Sequence, residues 1–211
     1  MAEAIATQRE FVFSCRDFAE VRKMIYDHAG IALTEAKEDM VYSRLARRLR
    51  ATGLKRFQDY LALIRSGDEV EWEAFVNSLT TNLTDFFREA HHFPLLKDFL
   101  RTRREHPITL WCSAASTGEE PYSIAMTAVE AFGGFNAPVR VLASDLDTHV
   151  LKLGQDGMYP LQRLREIDPE HLVYERAKLD RSHGVARALV CVWRQTVDAR
   201  GGWLRSKRRL G

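Results

Sequence analysis

The 211-residue chain predicts an all-helical unit followed by an α/β unit built on a parallel sheet. Two observations carry this reading. From residue 13 to residue 85, apolar side chains recur at helical spacing and no strand pattern interrupts them. Further on, two short apolar runs, 108–112 and 139–143, flank a helical stretch, and strand–loop–helix–strand order signals parallel pairing.

The elements follow in order. Ser14 with Asp17 three residues on is an N-cap with an acidic first turn, opening a helix through His28 that Gly30 stops. Phe18, Val21, Ile25 and His28 fall on one side of it. Thr34 caps a long segment ending near Arg50 and closed by Gly53. Phe57–Ile64 and Glu69–Leu79 are two further helices, separated by Ser66, Gly67 and Asp68. A helical segment is expected over Asp85–Arg104. Ile108–Cys112 is a strand, and the loop after it is built of small residues, from Ser113 to Gly118. A helix runs from Pro121 to Phe132 and Gly133-Gly134 ends it. Val139–Ala143 is the second strand, closed by Ser144 and Asp145, with helix again over 148–156. From about Ala177 the chain is rich in Lys and Arg, has two acids (Asp180, Asp198) and shows neither period. The expected boundaries are 1–85, 86–176 and a basic tail at 177–211.

Composition bounds the function classes. Apolar residues make up 45% of the chain, enough for a packed core. Cys15, Cys112 and Cys191 are far apart and form no CxxC pair, which argues against a disulfide framework or zinc knuckle and fits a reducing cytosol. No run approaches the about 18 apolar residues of a membrane span, so no membrane insertion is expected. The N-terminus carries no cleavable hydrophobic region. A net charge of +2 means that electrostatic function must come from local clusters.

The first α/β loop suits a nucleotide-like cofactor. Ala114, Ala115, Ser116 and Gly118 are small, so backbone can approach a ligand. The loop is not GxGxxG, and by itself it is a weak signal. Asp145 at the end of the second strand either accepts the two hydroxyls of a ribose or merely starts a turn and caps the next helix. Glu120 and Pro121 suit a helix first turn. Glu119 directly follows Gly118 and can instead face the pocket. A negative group there discourages phosphate and suits a cofactor bearing a sulfonium and an ammonium, which favours S-adenosylmethionine over a dinucleotide.

Longer strings narrow the reading. TNLTDFFREAHHF (81–93) resembles the signature of the bacterial chemotaxis receptor methyltransferases, the CheR family. WCSAASTGEEPYSIA (111–125) resembles that family's cofactor loop, and LASDLD (142–147) and GMY (157–159) resemble the segments after it. The resemblance covers about residues 12–172. It implies an α + α/β fold, an N-terminal all-helical receptor-docking domain followed by an incomplete Rossmann-like S-adenosylmethionine methyltransferase domain. It also implies transfer of a methyl group from S-adenosylmethionine to receptor glutamates, the adaptation step of chemotaxis signalling.

By position, Asn82, Thr84 and Arg88 match family residues lining the cofactor and transfer site, and Glu119 and Asp145 match its cofactor-binding acids. Ala114 and Gly118 belong to the cofactor loop. Arg88 is the expected catalytic residue, because a guanidinium holds a carboxylate through two parallel hydrogen bonds. The competing reading of Arg88 is a surface ion pair with a neighbouring acid. The reaction needs no general base, since a glutamate with a pKa of about 4.3 is already an anion at neutral pH. Catalysis then rests on in-line alignment and exclusion of water. His91 and His92 are adjacent and make a poor metal pair; both are read as structural or surface residues, and no metal is expected.

Between Tyr42 and Arg56 the cations are Arg44, Arg47, Arg48, Arg50, Lys55 and Arg56, with no acid. Arg44, Arg47 and Arg48 fall at i, i+3 and i+4 on one helix face, while Val41, Leu45 and Leu49 mark an apolar face. A solvated face and a nucleic-acid surface are the plain alternatives. The resemblance implies docking onto the acidic helices of methyl-accepting chemotaxis receptors, with no nucleic-acid partner, by a monomer acting in the cytoplasm.

Family members also continue further. They carry more sheet strands, a small inserted β-subdomain and an Asn-containing strand-end motif, and none of these is recognisable here. The expectation is that a frameshift or misassigned end replaces the remainder, and that a two-stranded sheet leaves the second half marginally stable. The alternative function is therefore a truncated, catalytically inactive receptor-binding module.

Overall fold

The computed structural model describes residues 9–105, 107–134 and 136–164, together with the strand segments 179–180, 185–187 and 192–193. The chain divides into two compact units, Met1–Thr80 and Thr81–Gly211. No helix among the described residues is long and apolar enough to cross a membrane.

The first unit holds four helices, α1 (Cys15–Ala29), α2 (Glu38–Thr52), α3 (Phe57–Arg65) and α4 (Glu69–Leu79), with a 3-10 turn at Glu35–Lys37. Helix α1 starts in a capping box. Asp17 N donates to Ser14 Oγ at 3.2 Å and Ser14 N donates to Asp17 Oδ2 at 2.8 Å. The same buried carboxylate accepts Gln58 Nε2 of α3 at 2.9 Å, so one acid both starts a helix and ties it to a neighbour. Gly30 and Gly53 end α1 and α2 with φ of +67° and +73°, a conformation that glycine adopts without steric cost. Val21, Ile25, Val41, Leu45, Leu49, Phe57, Tyr60, Leu61 and Phe75 are fully buried in one core. Each contributes about 2 kcal/mol by leaving water.

A polar network sits in this core. Glu71 of α4 is buried and accepts both Arg48 Nε at 2.9 Å and Arg48 Nη2 at 2.7 Å, while Tyr60 Oη donates to it at 2.8 Å. Burial and the Glu71 carboxylate push the Tyr60 phenol above its ordinary value.

In the second unit, α5 (His92–Thr102) precedes β1 (Ile108–Cys112), α6 (Glu119–Phe132), β2 (Val139–Ala143) and α7 (Thr148–Asp156). The expected helix over Asp85–Arg104 is shorter at both ends. Phe87 and Glu89 have φ of +50° and +54°, and Phe87 N donates to Ser123 Oγ of α6 at 2.9 Å, not to a helical carbonyl. Strands β1 and β2 pair in parallel, Ile108 opposite Val139 through Cys112 opposite Ala143. Helix α6 provides the crossover that parallel strands require.

Beyond α7 come β3 (Met158–Pro160), the short helix α8 (Leu161–Leu164), β4 (Leu179–Asp180), β5 (Val185–Arg187) and β6 (Val192–Trp193). Strand β6 joins β2 in parallel, so the expectation of a two-stranded sheet is corrected to three strands among the described residues. Strands β3, β5 and β4 form a separate antiparallel sheet. Strands of two or three residues, such as β4, β5 and β6, carry no readable period in the sequence. Most of that stretch, with the basic run 199–211 and the frameshift expectation attached to it, lies outside the described residues.

Replacing Glu71 with Ala leaves Arg48 and Tyr60 without their acceptor and should cost about 2 to 3 kcal/mol. Amide hydrogen exchange over residues 15–79 of the intact chain reads this directly. Tyr60, with its folded-state pKa raised, stabilises the unit below its ordinary value of 10.0, and this is lost as pH rises above that value. The parent should therefore lose protection in alkali through this term, and Tyr60→Phe should flatten that part of the slope.

Candidate cofactor and transfer site

Parallel pairing places the C-terminal ends of β1 and β2 side by side, and the loops leaving them form the site. The backbone is locked there before any ligand is considered. Ser144 N donates to Cys112 O at 3.0 Å and Ala115 N to Ser144 O at 2.9 Å. Asp145 is buried, and Ser116 N donates to its Oδ2 at 2.7 Å while Asp147 N donates to its Oδ1 at 2.9 Å. Ser116 has φ of +49° and Gly118 of +103°, so the loop turns sharply twice before α6 begins.

Glu119, the first residue of α6, is 2% exposed. Thr117 Oγ1 donates to its Oε2 at 2.6 Å. The loop is also held from below, because Tyr159 Oη donates to Thr117 O at 2.6 Å and packs against Tyr122 and Phe86. Ala114 is exposed, whereas Ala115, Ser116 and Gly118 are buried. Ser116 Oγ is buried and has no hydrogen-bond partner among the described residues.

The charge around these loops is negative. Residues 111–125 contain Glu119 and Glu120 and no Lys or Arg. The Cys112 thiol reports the consequence: burial, then Glu120 and Asp145, push it up to about 12. A phosphate would meet repulsion here, and a cation or a set of hydroxyl donors would not.

Residues 81–91 carry the other candidates. Asn82 Nδ2 donates to Asp147 Oδ2 at 2.6 Å. Thr84 O accepts Arg163 Nη1 at 3.3 Å, and Asp85 pairs with Arg163 at 3.6 Å. Arg88 is exposed and donates through Nη1 to Leu83 O at 2.8 Å. The neighbouring acids have other side chains beside them, the Arg163 guanidinium at Asp85 and the His91 ring at Glu89. One bond to a carbonyl leaves most of the five Arg88 donors for another acceptor.

The network of the β2–α7 loop was missed from the sequence. Asp147 and Tyr159 lie inside quoted strings, yet nothing in spacing alone marks them as partners of Asn82 and Thr117. His91 and His92 are exposed, with ring centroids 4.0 Å apart, and no group of three or more metal-ligating side chains occurs among the described residues.

The arginines of α2 in the first unit divide in use. Arg44 Nη1 donates to Ser78 O at 3.2 Å and also to Thr80 O, closing the end of α4. Arg48 is engaged by Glu71. Arg47 is exposed, as are Lys55 and Arg56 beyond the helix end.

A thiol raised to about 12 is almost wholly protonated at pH 8, so Cys112 should resist alkylation in the folded chain, while exposed Cys15 should react readily. Peptide mapping after iodoacetamide pulses measures both, and rapid native-state labelling of Cys112 would contradict the buried negative site.

Two family models match the chain. One, described as the CheR methyltransferase all-alpha domain, covers residues 16–80, and the other, the CheR methyltransferase SAM binding domain, covers residues 82–191. The second match runs past residue 177 into the stretch without sequence pattern. Chemotaxis protein methyltransferase 2 of Pseudomonas aeruginosa is 51% identical over 161 residues, 75% of this chain and 57% of that protein. The chemotaxis protein methyltransferase of Escherichia coli is 52% identical over 156 residues, 74% of this chain and 54% of that protein. The protein of that name in Borreliella burgdorferi is 31% identical over 167 residues, 74% of this chain and 59% of that protein. The chain thus spans somewhat more than half the length of these relatives, and on the match of both of its units it belongs to the CheR methyltransferase family.

Proposed function

We propose that this chain methylates glutamate side chains of chemotaxis receptors, with S-adenosylmethionine as methyl donor, in the cytoplasm and as a monomer. The observation that carries the reading is the pair of buried acids, Glu119 at the start of α6 and Asp145 just after β2, beside a loop segment, 111–125, that contains no Lys or Arg. The residues present fit this cofactor. Buried carboxylates accept from hydroxyl and ammonium donors, the small loop admits close approach, and Ser116 Oγ is a buried polar atom without a partner among the described residues. When bound, S-adenosylmethionine supplies an electrophilic methyl group on a sulfonium.

The protein residues then have separate tasks. Asp145 offers its remaining lone pairs to ribose hydroxyls, and Glu119 offers an acceptor at the start of α6. Ala114 and Gly118 keep the loop low, and Asn82 and Thr84 line the opposite wall. Arg88 holds a carboxylate, either that of the cofactor or that of the incoming glutamate, in a two-bond fork. No residue has to remove a proton, because the attacking glutamate is already an anion. What the protein supplies is alignment of carboxylate oxygen with methyl carbon and exclusion of water. The match to the SAM binding domain favours the enzyme over an inactive receptor-binding module.

For the receptor, complementary charge is the natural contact. Acidic helices would meet Arg47, Lys55 and Arg56, which are exposed, more directly than Arg44 and Arg48, which are engaged within the helical unit. Such contacts steer the encounter and weaken with salt.

Radiolabelled S-adenosylmethionine and cytoplasmic receptor fragments test the proposal. Methyl incorporation should be alkali-labile, as an ester is, and should fall when the acceptor glutamates become glutamines. Arg88→Ala and Asp145→Ala should each reduce transfer roughly 100-fold, the loss of a charge-assisted contact of about 2 to 3 kcal/mol. Incorporation that survives alkali, or that is indifferent to both substitutions, would remove the reading.

A further inference from the structure

Asp147 lies outside every role assigned so far, although it touches two of the candidate residues. It is 3% exposed. Its Oδ1 accepts His149 N at 3.0 Å and Val150 N at 3.2 Å, which makes it the N-cap of α7. Its own N–H donates to Asp145 Oδ1, and its Oδ2 accepts Asn82 Nδ2 at 2.6 Å.

A cap alone does not require this side chain. Asn, Ser and Thr cap helices about as well as Asp. The bond to Asn82 is different, because it exploits a property that a carboxylate has and an amide lacks. A carboxylate only accepts, so the amide facing it must present its NH2. The two ends of an asparagine amide are otherwise nearly interchangeable, and here the partner decides between them. With NH2 committed to Asp147, the Asn82 carbonyl oxygen faces the other way, and no donor among the described residues reaches it.

We infer that Asp147 is a positioning residue that fixes the Asn82 amide so that its carbonyl, an acceptor, is presented to the donor groups of the cofactor. This rests on the S-adenosylmethionine reading above and specifies one contact within it. It also explains why one short loop carries two acids: Asp145 is offered to the ligand, and Asp147 orients the residue opposite. The inference predicts that the charge on Asp147 is needed for the direction of one hydrogen bond, over and above capping.

Isosteric exchange tests this. Asp147→Asn keeps the cap and the shape but sets an NH2 against an NH2, so the Asn82 amide must turn over and present a donor. Affinity for S-adenosylhomocysteine, read by calorimetry, should drop roughly tenfold or more with the melting temperature little changed. Asn82→Asp alone should bind worse still, because two carboxylates then face each other. Combining Asn82→Asp with Asp147→Asn reverses the bond direction, leaves an acceptor turned outward, and should recover most of the lost affinity. A purely structural cap predicts no loss in Asp147→Asn and no rescue in the pair, and either result overturns the inference.

The orientation has a readout without any ligand. In nitrogen-15 spectra, the Asn82 side-chain NH2 of the parent should exchange slowly with water and lose that protection in Asp147→Ala, where no acceptor remains. A parent chain that keeps the protected amide but does not bind S-adenosylhomocysteine overturns the cofactor contact together with the methyl-transfer reading. An unprotected amide in the parent overturns the orientation by itself.

Discussion

One carboxylate holds the candidate site together. Asp145 accepts backbone N–H groups from the loop after β1 and from its own loop after β2, so two chain segments far apart in sequence share a single anchor. Parallel strands create the need for it: their ends emerge on one side, and the peptide groups just past each strand have lost their ladder partners. Ser116, with its positive φ, donates its N–H to that buried carboxylate. Each carboxylate oxygen retains lone-pair capacity after one such bond, which is how one residue serves both as scaffold and as candidate ligand.

The two units handle buried charge in opposite ways. In the helical unit, Glu71 is neutralised by a two-bond fork from Arg48 and also accepts the Tyr60 hydroxyl. In the α/β unit, Glu119 is more deeply buried still, yet a threonine hydroxyl is what donates to it, and the nearby Cys112 thiol is pushed up by burial and then by Glu120 and Asp145. A buried acid beside a cation is a structural device, whereas a buried acid in a loop segment that holds no Lys or Arg favours a positive or donor-rich guest. The contrast within one chain separates packing charges from binding charges more firmly than either residue would alone.

The segment from residue 81 to residue 91 owes its shape to the same economy of hydrogen bonds. Its sequence contains the material of a helix, and a helix would have put Thr84 and Arg88 on one side and Asn82 on another. Positive φ at Phe87 and Glu89 breaks that path, and Ser123 takes the Phe87 N–H that a helical carbonyl would have taken. The side chains of Phe86 and Phe87 then pack with Tyr122, Met126 and Tyr159, so apolar burial stabilises a backbone that local preference does not.

The sequence determined by itself what depends on neighbours in the chain. The caps Ser14, Gly30 and Gly53, the helix Glu69–Leu79, and the strands Ile108–Cys112 and Val139–Ala143 all come from short-range sterics, capping chemistry and a period of 3.6 or 2. The strings at 81–93 and 111–125 likewise carried the family and most of the candidate residues. Tertiary structure decided everything that depends on a distant partner. It bent residues 85–91 out of the expected helix, turned Arg44 and Arg48 inward toward α4, and drew the two-residue strand β6 alongside β2. It also joined Asn82 to Asp147 across 65 positions and Tyr159 to Thr117 across 42. A hydrogen bond between side chains so far apart leaves no period or spacing in the sequence, because its geometry exists only after the sheet has brought the two loops together.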